Sequence, residues 1–367
     1  MKKQEIIYRK NEKMAFDAMK IIRDFKVTSD QKKLRTRYKH MHENPRECGP
    51  LFIMDAPVAN LPPWEERLAD PMKMLACELA ALQSHQEIGD DAPMAVRVQF
   101  GTAQIAAAFG CDMFIPPNSL PCAGNHILHN IEDVYDMEKP DIEAGWFAKL
   151  WEWTRLWRKS MPEDVHFLNP DIQSAFNSAH LIRGNDAFTD FFDNPEALER
   201  LMELVTDYMI DIIAEQERVA PPVEKGYFFD WGAYWKGHAR ISNCSIHMVG
   251  PELYRKHILK HDRRFFETVD GGRVHYCGSY PEVIYDFAGI PGVFGMDLDH
   301  EYHDFFTIAD QMPKHLALIA NLSHNSKEIS RFLSGDWPLK RNFIARVYVP
   351  SVEEGKILLD KLRLAAG

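Results

Sequence analysis

The sequence predicts a single large (β/α)8 barrel of the TIM type with an N-terminal helical extension. Three observations point there. From Gly49 onward, short apolar runs alternate with amphipathic stretches, as in GPLFIMDAP, DPMKMLACELAALQ and APMAVRVQFG, the rhythm of βα units around a parallel sheet. From RVHYCG to the C-terminus this rhythm repeats as strand and helix at short spacing. No GxGxxG or GxxxxGK[ST] segment follows any predicted strand, which disfavours the doubly wound nucleotide-binding alternative.

Residues 1–45 read as a charged helical extension that ends at the turn signals HENPRECGP, and residues 46–367 as the barrel domain. The extension suits covering the barrel or pairing two copies, so a homodimer is an open reading. The stretch AGWFAKLWEWTRLWRK spaces Trp146, Trp153 and Trp157 close to one helix face, which predicts packing in a core or lid. A long helix over DNPEALERLMELVTDYMIDIIAEQERV opens at Asn-Pro with acidic residues in its first turns. Then come the strand-like GYFFDWGAYW, the RISNCS strand, another helix and RVHYCG.

Of the 367 residues, 46% are hydrophobic and 26% charged, a globular composition. No run approaches the roughly 20 apolar residues a membrane-spanning helix needs. The charged start MKKQEIIYRKNEKM lacks a signal-peptide pattern, so a cytoplasmic protein is expected. A formal charge of -11 opposes binding to phosphate backbones. The expected partners are a small molecule and a protein, with no nucleic acid and no membrane. Six cysteines, dispersed from Cys48 to Cys277, read as reduced thiols. Cys77 and Cys111 fit small buried hydrophobes.

In parallel barrels the reactive groups gather at the carboxyl ends of the strands. That rule nominates His275 and Cys277, Asp297 and Asp299, Asn321 and His324, and Asn243 and Cys244. His275 and Cys277 stand two apart on one strand and so share a face. Imidazole and thiolate are ligands zinc prefers, and a catalytic zinc takes three protein groups and keeps one position open. A buried histidine beside an inert thiol is the alternative at this point. Asp297, His275 and His303 are candidates for proton handling, Asp297 and Asp299 for orienting a metal-bound histidine, and Asn243 joins Asp297 and His303 as a catalytic candidate. Trp231, Tyr234 and Trp235 are candidates for lining an apolar substrate pocket.

The segment RISNCSIHMVGPELYRKHILKHDRRFFETVDGGRVHYCGSYPEVIYDFAGIPGVFGMDLD, preceded by FNSAHLIRGNDAFTDFFDNPEALERLMELVTD, resembles the uroporphyrinogen decarboxylase superfamily. The resemblance runs from about residue 165 to 360, more vaguely from residue 50. It implies a (β/α)8 barrel and, in one branch, zinc methyltransferases that work with corrinoid proteins. In that branch a His-x-Cys-Gly strand end supplies two zinc ligands, matched by His275, Cys277 and Gly278. The arginine-bearing segment that holds tetrapyrrole carboxylates in true decarboxylases is absent from FIMDAPVANLPPWEERLADP, which disfavours haem biosynthesis. The late cysteine of the thiol-methylating members is absent too, since none follows Cys277.

The resemblance therefore leaves Glu282, His303 and Cys244 as candidates for a third ligand, with Glu282 preferred. A pattern associated with aromatic methyl-ether members, Glu-x14-Glu-x20-His, occurs as Glu267, Glu282 and His303. The implied function is transfer of a methyl group from a small methyl ether to the cobalt of a corrinoid (cobalamin) protein, with zinc as Lewis acid. The alternative is a metal-free decarboxylase or lyase in which an arginine such as Arg240 holds a carboxylate.

Overall fold

The computed structural model of the protein describes residues 16–44, 49–299, 302–338 and 342–367, and side chains at all of these except 298 and 299. Cys48 lies outside them. Eight parallel strands form the barrel: β1 (Leu51–Asp55), β2 (Ala95–Val96), β3 (His166–Phe167), β4 (Ala239–Ser242), β5 (Gly272–Tyr276), β6 (Val293–Asp299), β7 (Ala317–Ser323) and β8 (Phe343–Tyr348). Strands β4 to β8 pair in chain order and β8 closes onto β1, all parallel. β2 and β3 form a separate parallel pair. A bridge from Gln173 to Ser242 ties the chain after β3 to β4.

The β1–β2 joint is different, because no ladder forms there. Asp91 Oδ2 accepts from the Phe52 N–H at 2.9 Å and Asp90 Oδ2 from the Met54 N–H at 2.7 Å. The Asp91 N–H donates to the Phe52 carbonyl at 2.8 Å. Two carboxylates thus satisfy backbone donors that a neighbouring strand would otherwise take.

Alternation along the strands sorts residues inward and outward. Leu51, Ile53, Ala317, Ile319 and Ile344 join the interior cluster, while Phe52, Met54, Leu318, Ala320 and Phe343 pack beneath the helices. The interior holds an element that the alternation along the chain leaves unplaced. Tyr227–Asp230 and Ala233–Lys236 pair as an antiparallel hairpin whose turn residues, Trp231 and Gly232, have φ of 49° and 68°, as a type I′ turn requires.

The base of this hairpin lies against the extension, where Lys39 pairs with Glu224 and the Lys236 N–H donates to His42. Its tip reaches Asn321 and His275. Gly295 makes the room, for a Cβ there would stand 2.3 Å from Trp235 Cζ3.

The extension is part of this packing. Helix Gln31–Glu43 contributes Leu34, Tyr38 and Met41 to the interior cluster, and Ile22 and Phe25 join the outer one. Helix Phe147–Ser160 buries Trp153 and Trp157 in the outer core, as their spacing predicts, and Trp151 as well, while Trp146, just before the helix, is half-buried against the same core. Cys77 and Cys111 are buried, and burial pushes each thiol up to about 11. Among the described residues no helix is long and apolar enough to cross a membrane.

Candidate active site

The carboxyl ends of β4 and β5 bring three ligand-type side chains together. Cys244, His275 and Cys277 each place one ligand atom within 4.8 Å of the others, all partly buried. Register explains the meeting. Ser242 is level with His275 across the β4–β5 ladder, so Cys244 and Cys277, each two residues further on, leave the strands side by side. Gly278 lets the chain turn there, since a Cβ would meet the Tyr276 ring at 2.4 Å.

The ring of His275 is oriented from behind. Its Nδ1 lies 2.6 Å from Asp297 Oδ2, so Nδ1–H donates to the carboxylate and Nε2 is left for a ligand. Burial opposes the imidazolium, but Asp297 outweighs it and raises His275 to about 9. Burial would also raise Asp297, whereas His275 and Arg273 hold it far below the usual carboxylate range. The Cys244 thiol, helped by His275, favours the thiolate of Cys277, while Cys244 itself is pushed up as the partner that keeps its proton.

Two sulfurs and one imidazole with a carboxylate behind it form a donor set of the catalytic zinc type, with one position open. The residues present fit that metal.

Beneath this group lies a buried ionic layer. Arg97 and Arg273 both contact Asp230, Arg240 contacts Asp171 and Asp230, Arg273 also contacts Asp297, and Arg346 contacts Asp55. Four guanidinium groups (Arg97, Arg240, Arg273, Arg346) thus face four carboxylates (Asp55, Asp171, Asp230, Asp297). Pairing of this kind is what permits burial, because an isolated charge there would cost several kcal/mol.

Trp231 sits at the edge of the layer. Its Nε1–H donates to Asn321 Oδ1 at 3.3 Å, and Asn321 Nδ2 reaches Asp297 Oδ2 at 3.4 Å. The Trp231 and His275 ring centroids are 6.0 Å apart.

Several candidates read from the sequence lie elsewhere. Glu282 is exposed in the first turn of helix Pro281–Ala288 and is not among the three gathered groups. Cys244 stands in the place given to it. Glu267 is likewise exposed, so Glu267, Glu282 and His303 are not drawn together. His303 is buried, but its Nε2–H donates to the Gly278 carbonyl at 2.7 Å, a contact that steadies the turn after Cys277.

Asn243 is fully buried and directs Nδ2 to Asp262 at 2.8 Å, toward the helix layer and away from the metal-type group. Tyr234 and Trp235 have no exposed surface. They are barrel core, and of the three aromatic candidates only Trp231 borders open space. His324 is exposed, and the side chain of Asp299 is outside the described set.

No curated protein matches the chain. Among solved structures, a methyltransferase from Methanosarcina mazei shares the fold, with a TM-score of 0.67, 15% identity, and coverage of 91% of this chain and 98% of that one. Residues 61–325 match the model of the uroporphyrinogen decarboxylase (URO-D) family, and with the barrel and its strand-end group in view, the chain belongs to that family.

Proposed function

We propose that Cys244, His275 and Cys277 hold zinc, and that the protein is a cytoplasmic methyltransferase. It would move a methyl group from a small methyl ether to the cobalt of a separate corrinoid protein. The observation that carries this reading is the Cys244–His275–Cys277 group on the loop-bearing face of the barrel, with Asp297 holding the histidine's Nδ1 so that Nε2 is left free. Zinc, when bound, supplies a Lewis acid that makes the ether oxygen a better leaving group.

The protein's own residues do the rest. Asp297 holds the His275 proton on Nδ1 and keeps the ring from rotating. Arg273, bridging Asp230 and Asp297, fixes the carboxylate in turn. His303 pins Gly278 and with it the direction in which Cys277 leaves β5. The hairpin blocks the barrel axis below the group, so a substrate enters from the loop face.

The metal-free decarboxylase reading needs a guanidinium free to hold a substrate carboxylate. Arg240 is engaged by Asp171 and Asp230, and the other three buried arginines of the layer are matched likewise. This weighs against it.

The test combines metal analysis with turnover. Protein purified without chelators should hold about one zinc per chain and transfer methyl from aryl methyl ethers to reduced cobalamin. A preparation with no zinc, or a His275→Ala variant of undiminished activity, would sink the proposal.

A further inference from the structure

The joint between β1 and β2, bridged by side chains instead of a ladder, borders a cavity of ≈ 210 Å³. Its outer wall is one face of helix Pro71–Ile88. Glu78, Ala81, Leu82 and His85 all line it, and their spacing of three, four and seven residues puts them on one side of the helix. On the inner side the cavity meets Trp231 and Arg346. Arg346 stacks 4.5 Å from the Trp231 ring, and that ring is 6.0 Å from the ring of His275. The cavity therefore runs from the helix layer through the split wall to Trp231, whose ring separates it from the candidate metal group.

Charge within it is unevenly satisfied. Asp55 pairs with Arg346 and His85, and Arg97 with Asp230 and Asp171. Glu78 differs, because among the described residues no cation stands within ion-pairing distance of it. One of its oxygens accepts the Arg97 N–H at 3.2 Å. Burial pushes its carboxyl up to about 7, against the Arg97 N–H, the charges of Arg97 and Arg67, and a hydrogen bond with Gln99. A carboxyl so placed favours an incoming hydrogen-bond donor and disfavours an anion.

We infer that this cavity takes the body of the methyl donor, and that Glu78 selects a molecule bearing a hydroxyl or ammonium donor over one bearing a carboxylate. The inference rests on the methyl-ether reading above, and its test measures binding alone, so that the two can fail separately. Zinc-loaded protein is titrated calorimetrically with 2-methoxyphenol, 2-methoxybenzylamine, methoxybenzene and 2-methoxybenzoate. The phenol or the amine should bind roughly tenfold or more tighter than methoxybenzene and the benzoate, and which of the two leads identifies the donor.

Glu78→Leu should erase that preference. Ala81→Trp, which fills the cavity, should abolish binding of every probe while zinc content and the circular dichroism spectrum stay unchanged. Benzoate binding as tight as the phenol, undiminished binding in Ala81→Trp, or no binding of any probe by the wild type would overturn the assignment. Selective binding without methyl transfer to cobalamin would uphold the subsite and sink the methyltransferase reading instead.

Discussion

Ser242 and His275 are level across the β4–β5 ladder, and this single register sets the candidate metal group. Cys244 and Cys277 lie the same two residues beyond their strand partners, so the two thiols emerge together beside the imidazole. Replacing Cys244 by Ser should therefore cost most of the bound zinc. Glu282→Ala should leave zinc stoichiometry unchanged and stability within about 0.5 kcal/mol, as expected of an exposed position. Metal analysis of the two purified variants, with a denaturant melt of the second, decides between Cys244 and Glu282 as third ligand.

Asp297 has two duties, one toward His275 and one toward Arg273. Asp297→Asn should weaken zinc binding by about 10–100-fold, the usual cost of losing a carboxylate behind a metal-bound histidine. It should also lower stability by about 3–5 kcal/mol, because Arg273 is left with an incomplete counter-charge in the interior. Chelator competition reads the first effect and urea unfolding the second. A variant with wild-type zinc affinity would show that Asp297 does not orient the ligand.

Burial raises Asp262 to about 7, against hydrogen bonds from Asn243 and Tyr254 that favour its charged form. Its folded value lies above its unfolded one, so the folded state holds the proton more tightly. The resulting stabilisation is complete below about pH 4 and is lost as pH rises through about 7. Asp262→Asn removes this slope. Unfolding free energies of wild type and variant between pH 4 and pH 8 should diverge by up to about 4 kcal/mol across that window. Parallel curves would mean that Asp262 is ionised throughout.

Gly295→Ala should destabilise the protein by about 1–3 kcal/mol, because the added methyl meets the Trp235 ring inside the barrel. Thermal or urea melts measure it. A neutral result would show that the hairpin can shift without loss.

The second half of the barrel was readable because its strands and helices alternate at short spacing, and because period-two geometry alone puts His275 and Cys277 on one face. Cys244 was harder to rank. Its closeness to Cys277 depends on strand register, which a spacing along one chain does not carry. Position after the strand end favours Glu282, but a carboxylate in a helix's first turn is as well satisfied by solvent and the helix dipole.

Asn243 follows a strand end like a site residue, yet its side chain takes the outward direction and is claimed by Asp262. The sequence alone does not separate pocket lining from core at Tyr234 and Trp235, because aromatic residues suit both. Only the placement of the hairpin inside the barrel, announced by the Trp231–Gly232 turn, shows that they are core.

That hairpin also separates two properties that barrels ordinarily join. In a barrel filled by its own strands, reshaping the floor of the site means altering the wall. Here part of the floor is a contiguous ten-residue insert, Tyr227–Lys236, carried on a tight turn. The site's depth and lining can change through this one segment while all eight strands keep their sequence, so it is the natural cassette for altering what the barrel accepts.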